Sequence, residues 1–220
     1  MRLKTSDLEN LMKEALLSYG FVKRGGYYFR TRPENSCFLE EAGVCYAWYR
    51  TATYIIPYLG VYNVKLADLY TRFSGSKNKY SFSLLTQNIG YVGEGHEYKD
   101  WRYQEEQDAQ TLIKEVAKMI HESSSFFYQQ NADVNTLISK YEARVYPISK
   151  ENRFLFLPML YLVAGMPEKG IRFYADEIAN GWPVFDTGKK VIKQYNDYVA
   201  HHFRGVTCID VESLILNRHI

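Results

Sequence analysis

The residues from Glu94 to Asp108 combine side chains in a way that is typical of a binding surface. This stretch holds six acids against two bases, a local charge of −4, with aromatic residues interleaved. Acidic groups steer the approach of a basic partner, and buried aromatic side chains hold the complex once it has formed. We therefore predict a partner-binding segment in this stretch. Its residues are Glu94, Glu97, Tyr98, Asp100, Trp101, Tyr103, Glu105 and Glu106.

A second interpretation of the same segment stays open. The acids would then only solvate a loop and place negative charge at the N-terminus of the next helix, where it is favourable for the helix dipole. Trp101 would in that case be a core residue rather than a contact for a partner.

Recognisable catalytic and metal-binding motifs are missing from the sequence. It has no Gly-x-Ser-x-Gly nucleophile elbow, and no Gly-x-Gly-x-x-Gly follows a strand. The run from Ser74 to Lys77 lacks the leading glycine of a phosphate loop and the Ser or Thr after the lysine. His201 and His202 are adjacent, so on a helix they diverge by about 100° and face different directions. We predict no catalytic residues, no metal site and no cofactor.

The composition is that of an ordinary globular protein. Of the 220 residues, 46% are hydrophobic and 24% are charged, which allows a core without disulfides or metals. The 27 basic and 25 acidic residues give a net charge of +2, too balanced to favour binding to nucleic acid or to a membrane surface.

The predicted location is the cytoplasm. The three cysteines are odd in number and form no Cys-x-x-Cys pair, which favours a reducing compartment. No apolar signal core follows Met1. The most apolar run, Phe154 to Ala164, is far shorter than the roughly 20 residues of a membrane-spanning helix. We interpret that run as a buried helix.

The first half of the chain predicts a helix followed by an antiparallel sheet. Ser6 and Glu9 have the spacing of a capping box, and Gly20 ends the helix. A Gly25-Gly26 pair between two apolar runs predicts a tight hairpin. Further strands are predicted at Val44–Arg50, Ala52–Tyr62 and Tyr80–Ile89, with a bulge or an edge position at Pro57.

Helical periodicity begins after Asp108 and continues to the end of the chain. Two amphipathic helices are predicted after Asp108, one marked by apolar residues from Leu112 to Ile120 and one by those from Val134 to Tyr141. Three more are predicted after Pro147, with a short one near Leu214. We predict an α+β fold with a mostly antiparallel sheet of four to six strands, flanked by helices, and an all-helical C-terminal portion. The predicted domains are an α+β domain over residues 1–146 and a helical subdomain over residues 147–220.

Residues 8–142 resemble a small bacterial family of unknown function whose members are described as immunity-like, because they recur beside polymorphic toxins. The resemblance is carried by an opening helix that leads into Gly20–Arg30, a strand ending in Tyr58–Tyr62, and the segments Asn88–Tyr91 and Asp100–Tyr103. The long helix after Asp108 closes the pattern, with Phe126 and Phe127 beyond it. It implies a non-enzymatic protein that binds and neutralises a cognate toxin.

Two further functions stay open beside this one. The helical hairpin between Phe154 and Ile178 resembles one unit of a helical repeat, which would make the chain an adaptor that binds a protein or peptide through its C-terminal helices. The third and weaker interpretation is an enzyme that acts on a small molecule in a pocket between sheet and helices. If the chain neutralises a toxin, its partner is a protein such as a basic toxin domain, since toxins that attack nucleic acid carry basic clefts.

Overall fold

The computed structural model of the chain describes residues 3–80, 83–92, 97–104, 108–145, 148–182, 186–210 and 213. The helices are α1 Thr5–Ser18, α2 Val64–Ser74, α3 Ala109–Asn131, α4 Val134–Glu142, α5 Lys150–Val163, α6 Pro167–Ala179 and α7 Asp186–His202. The strands are β1 Val22–Arg24, β2 Tyr27–Arg32, β3 Asn35–Tyr49, β4 Ala52–Asn63, β5 Leu85–Asn88 and β6 Trp101–Tyr103. A turn of 3-10 helix covers Ile89–Tyr91.

Contacts divide the chain into two compact units. One consists of Met1–Asn63 and Tyr80–Ala132, and the other consists of Val64–Lys79 and Asp133–Ile220. The helical unit thus includes α2 and α4, which precede the predicted start of the helical subdomain at residue 147. The predicted domain boundary itself stays a prediction.

The first unit is built on one antiparallel sheet. Its order is β1-β2-β3-β4, and both β5 and β6 pair with β4. Helix α3 packs against β3, β4 and α1. Because side chains alternate along a strand, Glu40 faces α3 whereas its neighbour Glu41 faces the opposite side of the sheet.

Pro57 lies on the central strand β4, between its two short partners. Strand β6 pairs with Thr53–Ile55 and β5 pairs with Tyr58–Val61, so the position of Pro57 is skipped. Its carbonyl oxygen accepts a hydrogen bond from the Asn88 side chain at 3.4 Å, on the β5 side. The proline therefore costs no ladder hydrogen bond, and a gap takes the place of the predicted bulge or edge.

Two local predictions in the first 30 residues have different outcomes. The Gly25-Gly26 hairpin is confirmed, with Arg24 paired to Tyr27 and Gly25 at a φ of 62°. The capping box of Ser6 and Glu9 is wrong. The N-cap is Lys4, two residues before Ser6, so helix α1 begins at Thr5, and the Asp7 carboxylate accepts a hydrogen bond from the Lys4 backbone N–H at 2.8 Å.

The extent of the strands differs from the prediction at two places. Strand β3 begins at Asn35 rather than Val44, because buried acids interrupt the apolar pattern that the prediction used. Of the strand predicted from Tyr80 to Ile89, Leu85–Asn88 forms β5, and residues 81 and 82 lie outside the described residues. Tyr80 instead packs its ring 5.3 Å from that of Phe29, as part of an aromatic cluster.

The second unit is helical, with α5 in contact with α2, α4, α6 and α7. Burial of α5 on nearly every side explains the apolar run that begins at Phe154, and confirms the prediction of a buried helix. Pro158 is accommodated inside this helix. Helix α2 was not predicted, because it follows Asn63 without any turn residue. The short helix predicted near Leu214 lies outside the described residues.

The predicted fold class is confirmed: an antiparallel sheet with flanking helices is followed by a helical C-terminal portion. None of the helices in the described ranges has the length and apolar character needed to cross a membrane.

Candidate functional site

The predicted binding segment lies next to strand β4, and the structure describes its central part. Residues 97–104 and Asp108 are described, whereas Glu94, Glu105 and Glu106 lie outside the described residues. Asp108 is the N-cap of α3. Its carboxylate accepts hydrogen bonds from the Thr111 hydroxyl at 2.5 Å and the Gln110 N–H at 3.0 Å, and these bonds lower its pKa.

Two aromatic residues of the segment belong to the core. Trp101 and Tyr103 are 7% and 3% exposed, because β6 pairs with β4 and turns both side chains towards α3. The Trp101 indole N–H donates to the Glu115 carboxylate of α3 at 3.1 Å. These two predicted contact residues therefore anchor the segment to the sheet, as the second interpretation of Trp101 expects.

Three other residues of the segment face solvent. Glu97 and Asp100 are exposed, and Tyr98 between them is 50% exposed. Partial burial of the Tyr98 phenol raises its pKa, with further contributions from Tyr58 and Asp100 nearby. An aromatic ring between two acids thus faces solvent in the segment that leads directly into β6.

Asn88 fixes the position of these exposed residues. Its side-chain oxygen accepts hydrogen bonds from the backbone N–H groups of Lys99 at 2.8 Å and Gly90 at 3.0 Å. Its side-chain nitrogen donates to the Lys99 carbonyl at 2.8 Å. Asn88 is 4% exposed, so one buried amide joins the end of β5, the following turn and the binding segment.

Gly90 is required at its position for reasons of space. A Cβ atom there would lie 1.9 Å from the Glu97 carbonyl oxygen and 2.9 Å from the Lys99 backbone nitrogen. The Glu97 N–H also donates to the Gly90 carbonyl at 3.1 Å. Any side chain at residue 90 must therefore push the binding segment away from the turn.

We expect Gly90→Ala to displace residues 97–99 and to cost about 1–3 kcal/mol of stability, the usual cost of overpacking. Hydrogen exchange should then show faster exchange at the Glu97 amide. Gly26→Ala is the matched control, because a Cβ atom at Gly26 meets no atom within 4 Å. Equal exchange rates in both variants would contradict the conclusion that Gly90 lets the turn pack against residues 97–99.

An open groove of about 540 Å³ runs beside the segment. Glu97, Tyr98 and Lys99 line one wall, and α3 contributes Met119 and Glu122 to the other. The groove therefore continues the acidic and aromatic character of the segment onto the surface of α3.

A buried charged cluster lies between the sheet and α3. The Glu40 carboxylate is fully buried and forms ion pairs with Arg30 and Arg32. The Ser124 hydroxyl donates to the same carboxylate at 2.7 Å. All four side chains come from neighbouring strands or from the facing helix, so the cluster joins α3 to the sheet.

His121 completes this cluster on its outer side. Its ring stacks on Tyr19 at 4.4 Å, and its Nδ1 lies 2.5 Å from a guanidinium nitrogen of Arg30. Arginine can only donate, so this Nδ1 accepts and the imidazole is neutral. Burial and the charge of Arg30 both lower the pKa of His121. These contacts hold the His121 ring between Tyr19 and the buried cluster.

Glu41 has no comparable set of partners. Its side chain is 0% exposed, and neither carboxylate oxygen forms a hydrogen bond to a described residue. Burial raises the pKa of Glu41 to about 8, although the nearby Ser83 hydroxyl lowers it slightly. Opposite it, a Cβ atom on Gly60 would lie 3.2 Å from the Glu41 carboxyl carbon, so the glycine leaves the room that this side chain occupies.

Metal ligands do not converge anywhere in the described ranges: no group of three or more His, Cys, Asp or Glu side chains is placed to hold an ion. His201 and His202 lie in the last turn of α7. His96 and His219 lie outside the described residues.

Three tyrosines of the C-terminal helices, Tyr161, Tyr174 and Tyr195, are buried. Tyr174 and Tyr195 are 0% exposed, with ring centroids 5.3 Å apart. The Tyr195 hydroxyl donates to the Pro167 carbonyl at 3.1 Å. These two residues therefore hold α6 and α7 together.

Comparison with protein-family models, with curated proteins and with solved structures found no match to this chain. The resemblance to an immunity-like family therefore stays a prediction, carried by the residues named above.

Sequence reasoning missed the positioning roles of Asn88 and Gly90 and the two buried glutamates. In the sequence, Asn88–Tyr91 carries only part of the family resemblance, and its contacts with Lys99 explain why an amide and a glycine stand there. Glu40 and Glu41 were detectable as two consecutive acids within an apolar stretch of strand.

Proposed function

We propose that this chain is a non-enzymatic protein that binds a partner protein and blocks it, as an immunity-like protein neutralises a cognate toxin. The observation that supports this proposal best is that some residues of the segment are buried and fix its position, while others are exposed to a partner. Trp101 and Tyr103 are anchored in the core, while Glu97, Tyr98 and Asp100 face solvent.

Anchoring matters because ordering a loop at the moment of binding costs free energy. The backbone at Lys99 is already held by the Asn88 amide through two hydrogen bonds of 2.8 Å each. The exposed tyrosine and its acidic neighbours are thus preorganised, which favours slow dissociation of a bound partner.

Charge selects the kind of partner. The sequence from Glu94 to Asp108 carries a local charge of −4, and Glu122 adds an acid across the groove. Such a surface attracts a basic domain and repels an acidic one. A toxin that holds nucleic acid in a basic cleft has the complementary charge.

The test is capture of the partner with the tagged chain from its native cells, followed by binding measurements with the purified pair. We expect one stoichiometric basic protein. We also expect the double variant Glu97→Lys with Asp100→Lys to slow association at least about tenfold, because rim charges act mainly on the association rate. Co-expression should then show that the captured protein arrests growth and that this chain restores it.

The matched control is the double variant Glu14→Lys with Asp68→Lys, which changes the net charge equally at exposed positions outside the segment. Slower association in both double variants would indicate a general charge effect instead of a defined surface. Unchanged association in the segment variant would remove this surface from the proposal. A captured partner without toxicity would leave the blocking function without support.

A further inference from the structure

Strand β3 extends far beyond the strand that covers one of its edges. Pairing with β2 ends at Ala42, where Tyr28 is the partner. Pairing with β4 continues on the other edge until Tyr49 meets Ala52. Within the described part of the chain, no strand pairs with the β2-side edge of residues 44–47.

The register shows which groups this edge presents. The Pro57 carbonyl points away from β3, towards Asn88. Val44 and Pro57 are therefore cross-strand partners that form no hydrogen bonds with each other. The N–H and C=O of Val44 therefore point to the open edge. Since the direction alternates along a strand, the N–H and C=O of Tyr46 point the same way.

The edge lacks the features that usually prevent strands from pairing across molecules. Residues 42–49 contain no charged side chain and no proline. The exposed side chains at its end are large, with Trp48 at 65% and Tyr49 at 57% exposure. Edge strands of proteins that stay monomeric are instead typically short, charged, bulged or covered.

We propose that this edge pairs antiparallel with the same edge of a second copy of the chain, which extends the sheet across a two-fold axis. A two-fold axis places each open N–H opposite a C=O of the other copy, so one strand satisfies the other. An uncharged edge meets its copy without repulsion. This pairing is independent of the proposed inhibitor function, because it uses β3 and leaves the segment 97–100 outside the interface.

The test is sedimentation of the full chain at about 100 µM, a concentration chosen because small interfaces bind weakly. We expect a mass near twice the 25.8 kDa of one chain. Ala47→Lys places a positive charge on the paired edge of each copy and should raise the dimer dissociation constant about tenfold or more. Ala47 is exposed, so the variant keeps its core, and circular dichroism should match that of the wild type.

Thr51→Lys is the matched control, since it adds the same charge in the turn beyond the paired edge and should leave the dimer intact. Hydrogen exchange gives a second measurement: the Val44 and Tyr46 amides should become protected as the concentration rises, except in Ala47→Lys. A wild-type chain that sediments as 25.8 kDa at the same concentration would overturn the proposal. So would a dimer that Ala47→Lys leaves unchanged, because its interface would lie elsewhere.

Discussion

Replacing Glu40 by glutamine is expected to lower the free energy of unfolding by on the order of 3 kcal/mol at pH 7. The change removes the negative charge that Arg30 and Arg32 share, while the size of the side chain stays the same. The Arg30 side chain is only 11% exposed, so its guanidinium would be left with an uncompensated charge in a largely dry site. Breaking a buried ion pair on one side costs far more than losing a surface pair.

Urea unfolding of the wild type and the variant measures this difference. Glu122→Gln serves as the control, because Glu122 is 60% exposed and its pair with Lys118 spans 3.7 Å at the surface. We expect the control to change stability by less than about 0.5 kcal/mol. If Glu40→Gln costs no more than Glu122→Gln, the buried cluster does not hold α3 to the sheet.

Replacing the neighbouring Glu41 by glutamine is expected to raise the free energy of unfolding at neutral and alkaline pH. Burial raises the pKa of Glu41 to about 8 in the folded protein, from 4.5 for an unperturbed glutamate. The unfolded chain therefore releases this proton at a lower pH than the folded chain does. Stability from this group is fully present below about pH 4.5 and is lost as the pH rises through about 8.

The wild type should thus lose on the order of 3 kcal/mol between pH 4.5 and 7 from this single group. Glu41→Gln is neutral at every pH and escapes that loss. Urea unfolding at pH 5, 7 and 8.5 should show that the free energy of unfolding of the variant increases relative to that of the wild type as the pH rises. Parallel pH profiles for the two proteins would show that Glu41 is already ionised in the fold.

Much of the fold followed from local signals. Gly25-Gly26 determined a hairpin because both turn positions accept the backbone angles that a tight turn needs. The spacing of Ile113, Val116 and Ile120 determined a helix with one apolar face, and those three residues are buried. Such patterns depend only on residues close in sequence, so the sequence predicts them well.

Predictions were wrong where distant residues decide the outcome. The start of β3 at Asn35 depends on pairing with β2, which covers the acids within it. Pro57 is tolerated on a central strand only because β5 and β6 stop on either side of it. Neither partner can be located from the residues around the proline.

The candidate site shows the same division. The charge and aromatic content of the segment from Glu94 to Asp108 are properties of the sequence alone. Tertiary structure decided that Trp101 faces α3, since that depends on the register of β6 against β4, and that Tyr98 stays 50% exposed. It also decided that the amide of Asn88 holds the segment in place.

Glu40 and Glu41 show most plainly where prediction from the sequence ends. The sequence by itself determined only that two acids are consecutive, so that on a strand they would face opposite sides. Only the tertiary structure decided that both lie in β3, that Glu40 meets two arginines, and that both Glu41 oxygens are buried without a hydrogen bond to a described residue. The partners of a buried charge come from strands and helices distant in sequence, and whether they meet it determines its pKa and its effect on stability.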